Sequence, residues 1–122
     1  MTRYSGMVAV ALVCLSTLAS TPALAACKEG FCTSGNDGVG PYTGAPTGHY
    51  VSFTSSYNNV THFNVDMPWY GQQEVGRNVR SFWYPCGNGE STAYSIQACT
   101  RGGLLQKSAC GPWVRFTHTC RF

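Results

Sequence analysis

The sequence predicts an all-β domain, a small disulfide-stapled antiparallel β-sandwich. Three observations predict it. Six cysteines (Cys27, Cys32, Cys86, Cys99, Cys110 and Cys120) follow a segment that reads as an export signal. An even set in a short exported chain is a disulfide framework. Beyond that segment the chain is rich in aromatic and β-branched residues and nearly without leucine, with only Leu104 and Leu105. Such residues suit a pleated, half-buried surface. Finally, short runs of alternating polarity recur between Gly, Pro, Asn and Ser clusters, the spacing of sandwich strands.

The export signal comes first. Arg3 is a basic start, Met7 to Leu18 is the apolar run, and Ser20 to Ala26 is small-residue rich with Ala23-Leu24-Ala25 as an A-x-A site. Residues 1–26 are therefore expected to be removed, taking the seventh cysteine, Cys14, with them. The apolar run is shorter than the ~20 residues that span a bilayer. Leu24-Ala25-Ala26-Cys27 also has the form of a bacterial lipobox, which would lipidate Cys27 and tether the protein to a membrane. Cysteine parity argues against this, because it would strand one of the remaining five thiols. The expected location is extracellular or periplasmic.

The remaining 96 residues, Cys27 to Phe122, suit one domain. Residues 27–47 (CKEGFCTSGNDGVGPYTGAPT) carry no apolar period, and an irregular N-terminal arm pinned by Cys27–Cys32 is expected. The sandwich is expected over residues 48–122. Within it, His49 to Thr54 alternates, with Val51 and Phe53 on one face. Val60 to Met67 alternates too, with Thr61, Phe63, Val65 and Met67 inward. These two runs could pair as a hairpin. Pro68 to Asn78 reads as a loop, and Val79 to Cys86 as a third strand in which Trp83 and Tyr84 must point to opposite faces. Gly87 to Ser91 is a turn. Thr92 to Thr100 is a fourth strand with Tyr94, Ile96 and Ala98 inward. Arg101 to Ser108 is a longer loop, and Trp113 to Thr119 is the last strand. If the last two strands are antiparallel neighbours, Cys99 and Cys110 face each other at the hairpin base. With Cys27–Cys32 assigned locally, Cys86–Cys120 remains, one choice among the 15 pairings six cysteines allow.

The stretch Thr92-Ala93-Tyr94-Ser95-Ile96-Gln97-Ala98-Cys99, followed after a loop by Ala109-Cys110-Gly111-Pro112-Trp113, resembles the last two strands of a fibronectin type III-like module, an immunoglobulin-like sandwich. Tyr94 follows the Gly87 to Ser91 turn, where a tyrosine corner would sit. The resemblance covers the C-terminal third. It implies a binding or adhesion role at most, since the architecture hosts many functions.

Chemistry is sparse. Seven cations and five carboxylates are scattered along the mature chain, and no basic run suggests nucleic acid. The histidines His49, His62 and His118 lie far apart and no C-x-x-C or H-x-x-x-H spacing exists, so neither metal nor cofactor is expected. Catalysis is not expected either. Glu74 and Glu90 sit in polar turns rather than as a pair across a cleft, and His62 reads as an exposed strand histidine rather than a base. Asn59-Val60-Thr61 has the form of a glycosylation sequon, relevant only in a host that glycosylates.

The aromatic pair Trp69-Tyr70 stands out, in a Pro/Gly segment with Gln73 and Arg77 nearby. Exposed aromatics beside amide and guanidinium groups suit carbohydrate or a protein surface; the plainer reading is that Trp69 caps the core. The expected function is a secreted non-catalytic binding module for carbohydrate or an extracellular protein. The alternative is a small secreted enzyme inhibitor or toxin presenting the Arg101 to Ser108 loop, with Arg101 or Lys107 as the inserted residue.

Overall fold

The structure is a computed structural model that describes residues 26–103 and 107–122. The segment read as an export signal, apart from Ala26, and Leu104, Leu105 and Gln106 of the long loop lie outside the described residues. Nine strands and no helix are present among the described residues: β1 (Ala26–Lys28), β2 (Phe31–Val39), β3 (Thr47–Ser55), β4 (His62–Met67), β5 (Gly71–Gly76), β6 (Ser81–Pro85), β7 (Ser91–Thr100), β8 (Ala109–Cys110) and β9 (Val114–Thr119). One sheet has the order β1-β2-β3-β6. The other runs β5-β4-β7, with β8 and β9 both pairing β7, and every pairing is antiparallel.

Alternating residues of both sheets build the core between them, as sandwich packing requires. Val51 and Phe53 from β3 meet Phe63 and Val65 from β4, and Tyr94, Ile96, Val114 and Phe116 complete the second sheet's inner face. Phe53 and Phe63 pack edge to face, with ring centroids 5.2 Å apart and planes at 86°. Each such buried phenyl contributes roughly 1.5–3 kcal/mol. The inward set expected on the fourth strand is found on β7, where Tyr94, Ile96 and Ala98 are all buried. Tyr94 stacks on Phe116, the centroids 5.6 Å apart.

Three expectations about organisation are corrected. The arm over residues 27–47 is not irregular. It forms β1 and the nine-residue β2, and Phe31 is fully buried between Phe53 and Phe63. Ala26, the last residue assigned to the signal, pairs with Thr33. The sandwich therefore starts before residue 48. The polar, glycine-rich composition hid this strand because its stability comes from the ladder to β3 and from one phenylalanine anchor. Gly35 fits there because the backbones approach closely: a Cβ would lie 2.1 Å from the Tyr50 carbonyl oxygen.

Secondly, β3 and β4 do not form a hairpin. Each pairs inside its own sheet, and their apolar faces meet across the interface. Alternation placed Val51, Phe53, Phe63 and Val65 inward as found, although Thr61 is exposed and His62 is buried, but it carries no information on which strand lies beside another. Thirdly, the segment Pro68 to Asn78 is not all loop. Gly71–Gly76 is β5, a mostly exposed edge strand paired with β4 in which Val75 alone packs against the core, so no apolar alternation marks it.

The third strand places Tyr84 in the core, fully buried, and Trp83 on the opposite face. Trp83 is nonetheless only 9% exposed, because the connection between β2 and β3 folds over it. Gly40 of that connection permits the contact: a Cβ there would lie 2.6 Å from the indole Cζ2. The three disulfides are Cys27–Cys32, Cys86–Cys120 and Cys99–Cys110, as the proximity argument expected.

Candidate functional site

The hairpin between β4 and β5 closes from Met67 to Gly71, leaving Pro68-Trp69-Tyr70 as its tip. Proline fixes the backbone entering the turn. Trp69 then takes φ +74° and Gly71 φ +68°. The left-handed region costs a residue with a side chain about 1–2 kcal/mol. Gln73 braces the tip by donating from Nε2 to the Tyr70 carbonyl at 2.9 Å. Trp69 is 81% exposed and Tyr70 45% exposed, so Trp69 does not cap the core.

The two neighbours look into different depressions. Trp69 lines a cavity of about 470 Å³ with Pro46, Thr47, Pro85, Cys86, Gly87 and Glu90. Tyr70 lines one of about 530 Å³ with Asn36, Tyr42, Tyr50, Ser81 and Trp83 among its walls. The connection between β2 and β3 contributes to both, through Tyr42 and Pro46. The Tyr50 hydroxyl is tied to the Val39 carbonyl. The Trp83 indole N–H is the one buried side-chain polar group without a hydrogen-bond partner among the described residues. Sequence reasoning missed Tyr42, Tyr50, Pro46 and Pro85, because their convergence depends on the fold of residues 40–47, which carry no periodic signal.

Of the residues singled out from sequence, Trp69, Tyr70 and Gln73 share the hairpin tip. Arg77 does not join them. It follows the far end of β5, about 20 Å along an extended strand from the tip. Arg101 donates to Glu74 Oε2 at 2.6 Å in an exposed ion pair, so the proposed loop contact is turned toward β5. Lys107 is exposed, and the middle of its loop lies outside the described residues. His62 is buried rather than exposed, its Nδ1 3.0 Å from Thr61 Oγ1. The sulfurs of Cys99 and Cys110 beside it are joined to each other and so are not thiolate ligands.

A second cluster, invisible in the sequence, closes the gap between the sheets. Asp37 on β2 accepts through one carboxylate oxygen from His49 Nδ1 at 2.7 Å and from His118 Nε2 at 2.8 Å. Its other oxygen accepts from the Arg121 backbone N–H at 3.0 Å. Burial alone would raise the Asp37 pKa, but these three donors outweigh it and hold the carboxyl below 3.8. His49 is pushed below 6.5, first by burial and then by the neighbouring His118, against the pull of Asp37. The three side chains offer ligand atoms within 4.8 Å of one another. The imidazoles, however, are stacked with planes only 14° apart and centroids 3.6 Å apart. Ligating lone pairs lie in the ring planes, and no ion at ~2 Å from both nitrogens lies in two nearly parallel planes at once. As arranged, the cluster is a hydrogen-bonded clasp.

Behind it the Tyr84 hydroxyl meets Thr92 Oγ1 at 2.6 Å, and Thr92 donates to the His118 carbonyl at 3.1 Å. Burial, only partly offset by that contact, pushes the Tyr84 phenol up to about 12. Three intramolecular disulfides fit an oxidising, extracellular-type environment. Comparison with known proteins found no matching family model, no matching curated protein and no matching solved structure.

Proposed function

We propose that the protein is a secreted, non-catalytic binding module that recognises carbohydrate or an extracellular protein surface through the β4–β5 hairpin tip. One observation carries this reading: Trp69 stands 81% exposed on a left-handed backbone. A large aromatic exposed at a conformationally costly position gives the fold nothing, and such positions concentrate at ligand clamps. The flanking depressions supply the concave walls that binding sites use.

A fibronectin type III-like scaffold fits this role. Apart from the short β1 and β8, strands β2, β3 and β6 form one sheet and β4, β7 and β9 the other, with β5 added at an edge. That division supports reading them as strands A, B, E against C, F, G of an immunoglobulin-like sandwich. Loops at the ends of such sandwiches are where recognition is placed.

The test is an array carrying glycans and purified extracellular proteins, probed with the wild-type protein and with Trp69→Ala. The wild type is expected to bind at least one class. The variant is expected to lose binding about tenfold or more while melting at the wild-type temperature, a loss equal to ~1.4 kcal/mol. Equal binding by the variant would overturn the reading.

A further inference from the structure

We propose that the two depressions beside β6 form one site for an uncharged oligosaccharide, in which Trp69 and Tyr70 are platforms for successive sugar rings. This rests on the binding-module reading and commits it to one ligand class. A pyranose presents an apolar C–H face and an edge of hydroxyls. The face suits the flat ring of an exposed aromatic, and the edge needs uncharged donors and acceptors.

Both requirements are met. Trp69 lines one depression together with Pro46, Thr47 and Pro85. Tyr70, Tyr42 and Tyr50 surround the other depression, where Asn36, Ser52 and Ser81 supply amide and hydroxyl groups. Trp83 lines that second depression and carries the buried indole N–H that lacks a partner.

Charge narrows the class. Neither depression is lined by a Lys or Arg. The one charged lining residue, Glu90, already accepts from the Gly87 backbone N–H at 2.7 Å. A sulfated or uronic-acid sugar would find no cation there. Arg, a residue enriched in protein hot spots, is also absent from the lining.

Spacing sets the length. Trp83 lines one depression and Pro85 the other, two residues apart along β6, or about 7 Å. The platforms themselves are consecutive residues, so a chain lying along β6 meets Tyr70 and then Trp69. A monosaccharide reaches only one of them.

The experiment is calorimetric titration with neutral glucose and N-acetylglucosamine oligomers from monosaccharide to hexasaccharide. It is preceded by an array of neutral and acidic glycans that names any better neutral series. Affinity is expected to rise about tenfold or more from monosaccharide to trisaccharide. Trp69→Ala and Tyr70→Ala are each expected to lose about tenfold or more on the longer sugars. Affinity should stay level from about 50 to 500 mM salt, because no ion pair contributes. Binding confined to acidic glycans, binding that collapses with salt, or no gain with chain length would overturn the inference. Trp69-dependent binding to a protein with no glycan bound would also overturn it, while leaving the binding-module reading in place. If no ligand of either class depends on Trp69, both fall.

Discussion

His49 and His118 stack face to face, ring centroids 3.6 Å apart, although one stands on β3 and the other on β9 of the opposite sheet. Asp37 holds both rings by one oxygen. With both rings protonated, two imidazolium groups would lie in contact beside a single carboxylate, and His49 is buried as well. His49 is held below its usual 6.5, so the unfolded chain takes up a proton there before the folded protein does. Stability from His49 is therefore present above 6.5 and lost as the pH falls below it. Asp37, held below 3.8, adds stability present above that value and lost as the pH falls further. Both groups make acid destabilising. Thermal melting is expected to be level above about pH 7 and to drop steadily toward pH 5, and His49→Gln should flatten that slope. A wild-type melting temperature unchanged from pH 8 to 5 would sink the idea.

Alkali acts on the residue beside this cluster: Tyr84, the register partner of His49, meets the His49 ring edge to face with centroids 5.7 Å apart. The Tyr84 phenol is pushed up to about 12, so the unfolded chain ionises near 10 while the folded protein does not. Between those values unfolding releases a proton, and stability falls as pH rises. Tyr84→Phe removes the Tyr84 part of this dependence and leaves the part from Tyr94, whose phenol burial also pushes up. It also removes the 2.6 Å contact to Thr92, at a cost of about 1–2 kcal/mol at neutral pH. Urea unfolding of both proteins at neutral pH and at about pH 11 checks the two effects separately. Identical slopes with pH would refute the assignment.

Trp69→Gly is expected to separate stability from binding. Glycine takes φ +74° without a Cβ penalty, and the side chain lost is 81% exposed, so little burial is forfeited. Relief of about 1–2 kcal/mol is partly offset by glycine's greater freedom in the unfolded chain. The net expectation is a gain of up to ~1 kcal/mol, together with loss of ligand binding. A melting temperature several degrees below wild type would show that Trp69 packs against the fold more than its exposure indicates.

Where sequence reading succeeded and failed follows from which forces set each element. Strands β3, β4, β7 and β9 carry alternating apolar residues because one face of each is core, and alternation is visible without knowing the neighbours. β2 and β5 owe their conformation to main-chain ladders, with β2 relying on Phe31 alone for a deep anchor. The aromatic pair Trp69-Tyr70 could be picked out by composition, whereas Tyr42 and Tyr50 join it only through chain folding. The Asp37 to His118 contact spans 81 residues and two sheets, and no local pattern encodes it. Phe31→Ala tests the revised boundary. It removes a fully buried ring in contact with Phe53, Phe63 and Tyr57, at an expected cost of about 3–5 kcal/mol. A change under about 1 kcal/mol, of the size seen for surface substitutions, would return residues 27–47 to the status of an appended arm.

The disulfides should rank by the chain they close and by where their sulfurs lie. Their sequence separations are 34 for Cys86–Cys120, 11 for Cys99–Cys110 and 5 for Cys27–Cys32. Restricting the unfolded chain at those lengths contributes roughly 4, 3 and 2 kcal/mol in turn. Burial sharpens the order, since Cys86 and Cys120 belong to the core cluster while Cys27 is exposed on an edge strand. The three together approach the whole net stability of a typical domain, about 5–15 kcal/mol. Reduction is therefore expected to unfold the protein, and thiol counting on the denatured, unreduced chain from Cys27 to Phe122 should give zero. Paired Cys→Ala variants should lose stability in the order just given. The N-terminal pair should cost least even though β2 is part of the sandwich, because Phe31 and the β2–β3 ladder hold that strand without the bridge. If removing Cys27 and Cys32 cost as much as removing Cys86 and Cys120, β1 would be holding β2 in place, and the ladder to β3 would be weaker than its nine paired residues indicate.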